Sequence, residues 1–332
     1  MSIILIIVLL FVLGAEFANG LTDAPNAIAT VVSTRVLTPR KAVMMAALLN
    51  IVGALVTGTA VAATIGKGIV DPNVIGLHTI TAAVITIIVW TTFAWRFGLP
   101  TSKTHEMVAG LTGAGLATAG TSALIWEGWE KVLIGLGLAL ILGFLFGFGL
   151  MNIIYRIFVK VNLFSIRKTF GRLQILSSAF MAFTHGSNDG QKFMGMFALA
   201  LVLGGVLPEF QVPFWVILIC GVVMGLGTIL GGWRIIKTMG FQLTRLEPVN
   251  GFAAETGAGA AILLGTSLGI PLSTTHTINA AIMGVGSTRR FSAVRWGITR
   301  RIVATWFLTF PACGIMGYLI TLLLQFAVPS FN

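Results

Sequence analysis

Long apolar runs alternate along this chain with short polar, glycine-rich or basic breaks. Residues 3–18, 42–65, 79–95, 132–154, 193–207, 214–230 and 302–326 each carry at most one charge. A helix needs about 20 such residues to cross a bilayer, so these runs predict spanning or half-spanning helices. Gly and Pro inside them are tolerated, because neighbouring helices can satisfy the freed backbone groups. The fold class is therefore an all-α polytopic membrane protein. The first run, MSIILIIVLL, has no basic start and leads directly into a polar motif. It reads as a retained first helix rather than a cleaved leader.

Composition supports that reading. Only 9% of the 332 residues are charged, against roughly 25% in a typical soluble domain. Cys220 and Cys313 both sit in apolar runs, where a thiol packs as a small hydrophobe. The net charge of +11 is concentrated in four clusters. These are Arg35, Arg40 and Lys41; Arg156 to Arg172; Arg234, Lys237 and Arg245; and Arg289 to Arg301. Cytoplasmic loops carry excess Lys and Arg, so all four are assigned to the cytoplasm and both termini to the outside. With no exposed basic domain, nucleic acid is excluded as a partner and the lipid bilayer is expected.

The chain also repeats itself. NGLTD at 19–23 pairs with HGSND at 185–189, an offset of 166 residues. PTSKTH at 100–105 pairs with PLSTTH at 271–276, an offset of 171. Two matches in the same order at nearly constant offset indicate duplication. The halves are residues 1–160 and 173–332, with 161–172 as a basic cytoplasmic connector. Residues 75–97 and 105–119 form one helical hairpin, and 251–268 and 277–286 form the other. Under the charge assignment the first enters from outside and the second from the cytoplasm. The result is two inverted-topology repeats with two re-entrant hairpins, an architecture used by secondary transporters.

Charged residues within membrane segments usually serve function. Asp23 and Asp189 stand between apolar runs and are flanked by Gly, which predicts broken helices with a carboxylate at each break. Such a carboxylate can hold Na⁺ or a proton, or simply cap the next half-helix. Asn26, Asn188 and Gln191 are the amides grouped with these carboxylates for cation coupling. Lys192 offers a positive charge to an anion. Thr101, Ser102, Thr104, Ser273, Thr274 and Thr275 add uncharged donors where helix N-termini already favour anions. Two such hairpin tips meeting at the midplane would enclose an oxyanion. Glu255, in an apolar run, is either a gating carboxylate or the partner of a cytoplasmic arginine. His105, His185 and His276 lack the spacing of a metal site and are read as hydrogen-bonding supports. No nucleophile–base pair has useful spacing, so no enzyme activity, cofactor or metal beyond a coupling cation is expected.

With these motifs in view, NGLTDAPNAIAT, HGSNDGQK, PTSKTH and PLSTTH resemble the PiT family of inorganic phosphate transporters. The resemblance covers nearly the whole chain. It implies import of inorganic phosphate across the cell membrane, driven by a Na⁺ or H⁺ gradient, with phosphate free or as a metal–phosphate complex. It also implies a homodimer. Asp23, Asn26 and Asp189 match the family's cation-binding positions, and the Ser and Thr residues of the tips match its phosphate site. Thr22 stands where the family's first signature has Asn. A sulfate or broader oxyanion permease, or in another class an anion channel, is the alternative.

Overall fold

A computed structural model describes residues 2–327. They form helices joined by short turns, with no β-strand among them. The main helices are α1 (Ile3–Ser33), α2 (Pro39–Val56), α3 (Ala60–Gly68), α4 (Leu77–Phe97), α5 (Lys103–Ala119) and α6 (Trp126–Ile157). Then follow α7 (Leu163–Leu203), α8 (Phe214–Leu230), α9 (Trp233–Lys237), α10 (Pro248–Ser267), α11 (Thr274–Ser287) and α12 (Trp296–Ala327). Local signals set their limits. The Ser2 hydroxyl accepts from Leu5 N at 3.2 Å and starts α1, Asn162 does the same for α7, and Pro39 and Pro248 open α2 and α10.

Five of these helices (α1, α2, α4, α6 and α12) are long and apolar enough to cross a membrane, and α8 with residues 233–242 makes a sixth if that bent pair is one span. Large apolar side chains such as Leu133, Ile141, Phe307, Ile315 and Leu323 are exposed on the outer faces of α6 and α12. On a chain this apolar, such faces meet lipid. The protein is a membrane protein.

Contacts in one half recur in the other. The α4–α5 hairpin packs on α1 and α12, and the α10–α11 hairpin packs on α7 and α6. Likewise α2 packs on α7, and α8 on α1. The last two pairings are backbone to backbone. A Cβ on Gly20 would strike the Met224 carbonyl, and one on Gly227 the Phe17 carbonyl. Gly53 and Gly186 stand in the same relation to Phe183 and Asn50. Small residues permit this approach, which in lipid replaces the hydrophobic drive of a soluble core.

Two apolar clusters fill the interior. One gathers residues 5–15 of α1 and 193–201 of α7. The other gathers residues 24–31 of α1 and 170–182 of α7, near the basic end. Residues 16–23 and 184–192 fall between the two clusters and form a polar layer.

Both hairpins turn in the same way. Gly98 and Gly269 adopt φ of 66° and 67°, each two residues before a proline. Ser102 and Ser273 then cap α5 and α11, accepting from His105 N at 3.3 Å and His276 N at 3.2 Å. The PTSKTH and PLSTTH segments meet in the polar layer, where Thr104 donates to the Leu272 carbonyl at 3.2 Å, but the glycine turns before them reach further. Gly98 and Leu99 reach the basic end beside Arg234 and Arg301, and Gly269 reaches α3 at the opposite end, where its carbonyl accepts from Thr64 at 2.8 Å. Only the segments after the prolines return to the polar layer.

The expected breaks at Asp23 and Asp189 are absent. Both α1 and α7 run through them, and α1 carries Pro25 inside the helix. Gly232 packs against the Leu21 carbonyl and the Pro25 ring, so the backbone around the proline is covered by a neighbour rather than unwound. The broken helix lies elsewhere, at Gly231–Gly232, where α8 and residues 233–242 meet at 62°. The connector is also shorter than 161–172, because α7 already begins at Leu163.

The glycine contacts give a first prediction. Gly53→Ala and Gly186→Ala should each lower stability by about 1–3 kcal/mol, the usual cost of overpacking. Gly137→Ala, with no atom within 4 Å of its added methyl, should be neutral or slightly stabilising. Thermal unfolding of detergent-purified protein would reveal the difference.

Candidate functional site

The polar layer centres on two carboxylates from the two long helices. Asp23 and Asp189 are 3% and 0% exposed. On a continuous helix, residues three and four apart share a face. His185, Asp189 and Lys192 therefore project together from α7, and Asn19, Asp23 and Asn26 from α1.

Lys192 Nζ donates to Asp189 Oδ1 at 2.5 Å and to the Leu272 carbonyl at 2.9 Å. Thr274 donates to Asp189 Oδ2 at 2.9 Å, and His185 Nε2 lies 3.3 Å from the same oxygen. Asp23 Oδ2 accepts from Asn26 at 3.1 Å and Thr275 at 3.3 Å. Asn26 also donates to the hydroxyls of Thr274 and Thr275, at 3.3 and 3.0 Å. The α10–α11 turn thus clasps both aspartates.

The α4–α5 turn brings a second cation. Lys103 Nζ lies 3.4 Å from Asp23 Oδ1 and 3.1 Å from Glu106 Oε1. Thr101 donates to Glu106 Oε1 at 2.6 Å, and Thr91 to Oε2 at 2.5 Å. Thr104 donates at 3.2 Å to the Leu272 carbonyl that Lys192 also uses. The two turns therefore meet through one carbonyl. All of these side chains are buried, so the layer is closed at both ends.

Other residues singled out from sequence lie apart. The Asn188 amide donates to Thr266 at 2.9 Å. Gln191 accepts from Val61 N at 2.9 Å and donates to Thr57. Both occupy faces of α7 turned away from Asp189. Ser102 and Ser273 cap their helices. Glu255 ties α10 to α1 and α7. It accepts from Thr30, Ser177 and, at 3.2 Å, Gln174, so neutral donors replace the arginine considered from sequence. His105 and His276 stack edge to face at 4.5 Å against Trp306.

Lys103 and Glu106 escaped the sequence reading, although Lys103 lies within PTSKTH. Their signal was a charged pair, i and i+3, inside a segment flanked by apolar helices. Glu16 is a further carboxylate of the layer, one turn before Asn19 on α1. It is fully buried, and Asn19 donates to it at 3.0 Å.

Chemically, the layer offers two kinds of site. Thr104, Thr274, Thr275, Asn26, Lys103 and Lys192 are donors suited to an oxyanion. Asp23, His185 and Asp189 bring ligand atoms within 4.8 Å of one another, a spacing that can hold a cation. If ionised, Glu16, Asp23, Glu106 and Asp189 outnumber Lys103 and Lys192 by two charges.

Comparison with known proteins agrees with this chemistry. A family model described as the phosphate transporter family matches residues 19–166 and 160–317. A probable low-affinity inorganic phosphate transporter of Rhizobium meliloti (strain 1021) is 45% identical over 305 residues, covering 92% of this chain and 91% of its own. A protein of the same description from Bacillus subtilis (strain 168) is 42% identical, covering 96% and 97%. A solved structure titled the sodium-dependent phosphate transporter superposes with a TM-score of 0.91 at 25% identity, covering 98% of this chain and 100% of that one. The chain belongs to the phosphate transporter family.

Proposed function

We propose that this chain imports inorganic phosphate across the cell membrane by alternating access, coupled to a Na⁺ or H⁺ gradient. The observation that carries this reading is the convergence of Thr274 and Thr275 on Asp189 and Asp23, from a turn whose Leu272 carbonyl also holds Thr104 and Lys192. These contacts are what phosphate would exchange. An oxyanion entering the layer takes hydroxyl, amide and ammonium donors that otherwise serve the aspartates. A cation among Asp23, His185 and Asp189 offsets part of the remaining negative charge, so cation and anion favour each other's binding.

The closed layer corresponds to the middle of the cycle. Opening toward either end requires one hairpin, with its helices, to part from the other at Leu272. α4 runs from the first apolar cluster to the second, and α10 runs from the second cluster to the α3 end, so each turn can serve as the gate at its own end. The basic end faces the cytoplasm on the positive-inside rule, which puts both termini outside. The relatives' names support phosphate as the cargo. The sodium dependence of the superposed transporter supports Na⁺, while the ammonium group of Lys192 on Asp189 favours H⁺.

Phosphate uptake into proteoliposomes under a Na⁺ gradient, an H⁺ gradient, or neither tests the reading. Uptake should require one gradient, show counterflow and ignore excess sulfate, and Asp23→Asn should abolish the gradient-driven part. Flux without any gradient or counterflow would indicate a channel, and strong sulfate inhibition a broader oxyanion permease.

The buried pair can be tested separately. Lys192→Met leaves Asp189 without its cation, at a cost of about 3–5 kcal/mol. Adding Asp189→Asn should recover more than half of that loss in thermal unfolding. Equal stability of the single and double variants would show that the pair is not coupled.

A further inference from the structure

At the basic end, the turn between α4 and α5 forms one wall of an open cavity of about 460 Å³. Arg96, Arg234, Lys237 and Arg301 line it, and no carboxylate does. Among the described residues, none of these four is in a salt bridge, whereas Arg289 on the same face pairs with Glu247 at 3.4 Å. Orientation in the membrane explains why basic residues gather at this end. A second concavity at this end, lined by Arg245, Arg289, Arg290 and Arg295, has Glu247 paired with Arg289, whereas the four cations here have no such partner among the described residues.

The cavity is also held in shape. Arg234 donates through Nη1 to the Arg96 carbonyl at 2.5 Å, and its guanidinium carbon lies 5.4 Å from the Trp95 ring centroid. Thr238 donates to the Gly98 carbonyl at 2.9 Å. The guanidinium and the turn are therefore fixed relative to each other before any ligand arrives, which lowers the ordering cost of binding.

We propose that this cavity binds a phosphate group, at a site separate from the buried layer. Guanidinium groups match phosphate oxygens in fork geometry, and a lysine adds a point charge. Arg96 sits on α4, Arg234 and Lys237 on α9, and Arg301 on α12. A phosphate group held among them joins the end of α4, six residues before Ser102, to two other elements. Occupancy therefore restrains the turn that leads into the polar layer. Inorganic phosphate from solution and the headgroup of an anionic phospholipid share this chemistry, and Phe97, exposed on the rim, would add an apolar contact only for the lipid.

The test uses the full chain purified in detergent at low ionic strength. Radiolabelled phosphate is titrated by equilibrium dialysis, and retained phosphatidylglycerol is counted by native mass spectrometry. The variant Lys237→Gln/Arg301→Gln changes exposed positions only. Arg172→Gln/Arg300→Gln removes the same charge outside the cavity. We expect the first variant to bind one of the two ligands at least about tenfold more weakly, the loss of two charge-assisted contacts, and the control to stay within about twofold. Loss of one equivalent of phosphate identifies the free anion, and loss of phosphatidylglycerol identifies the headgroup. Wild-type binding of both ligands by the cavity variant, or equal losses in the control, would overturn the proposal. Because the equivalents are counted, failure of the buried layer to bind phosphate would leave this result readable.

Discussion

Asp189 and Lys192, less than one helical turn apart in α7, meet at 2.5 Å with no solvent in reach. Removing one such ion from water costs several kcal/mol, and only pairing with full hydrogen bonding offsets that cost. The rest of the molecule is arranged around this constraint. Two apolar clusters close the layer from either end, and the glycine contacts of α1 with α8 and α2 with α7 let the helices approach closely enough to exclude water. The unbroken course of α7 puts His185, Asp189 and Lys192 on one face. Had the helix unwound at Asp189, that register would be lost.

The helix contacts of one half recur in the other, but the charges do not. Lys103 on α5 corresponds to Thr274 on α11, and Lys192 on α7 corresponds to Asn26 on α1. Each aspartate has thus acquired one ammonium partner, but from different elements. Asp189 finds its lysine on its own helix, and Asp23 finds one on the first hairpin. Both aspartates take a threonine hydroxyl from the second hairpin. The second hairpin therefore holds α1 and α7 together, while the first joins through Lys103 and through the Leu272 carbonyl. Parting the hairpins would therefore disturb Asp23 more than Asp189.

Much of this was legible in the sequence, because the side chains that meet in space are the ones that recur along the chain. PTSKTH and PLSTTH marked both turns, and the two aspartates marked the layer. Helix continuity was not legible. Gly20 and Pro25 read locally as a break, but Gly20 serves a close approach to α8, and Gly232 covers the backbone around Pro25. That error carried into the amides. Asn188 and Gln191 look like neighbours of Asp189 along the chain, yet on a continuous helix they turn about 100° and 200° away from it. Lys103 was hidden for another reason. A lysine in a polar turn reads as solvated, and only the packing of α5 against α12 and α4 buries it.

In the proposed mechanism, hydroxyls of the α10–α11 turn exchange between the aspartates and phosphate. Calorimetric titration of phosphate into purified wild-type protein, Thr274→Val and Thr275→Val measures this most directly. Each variant should lose about 1.5–3 kcal/mol of binding, the worth of a hydrogen bond to a charged group, while remaining folded. Wild-type affinity in both variants would place the phosphate away from these two threonines.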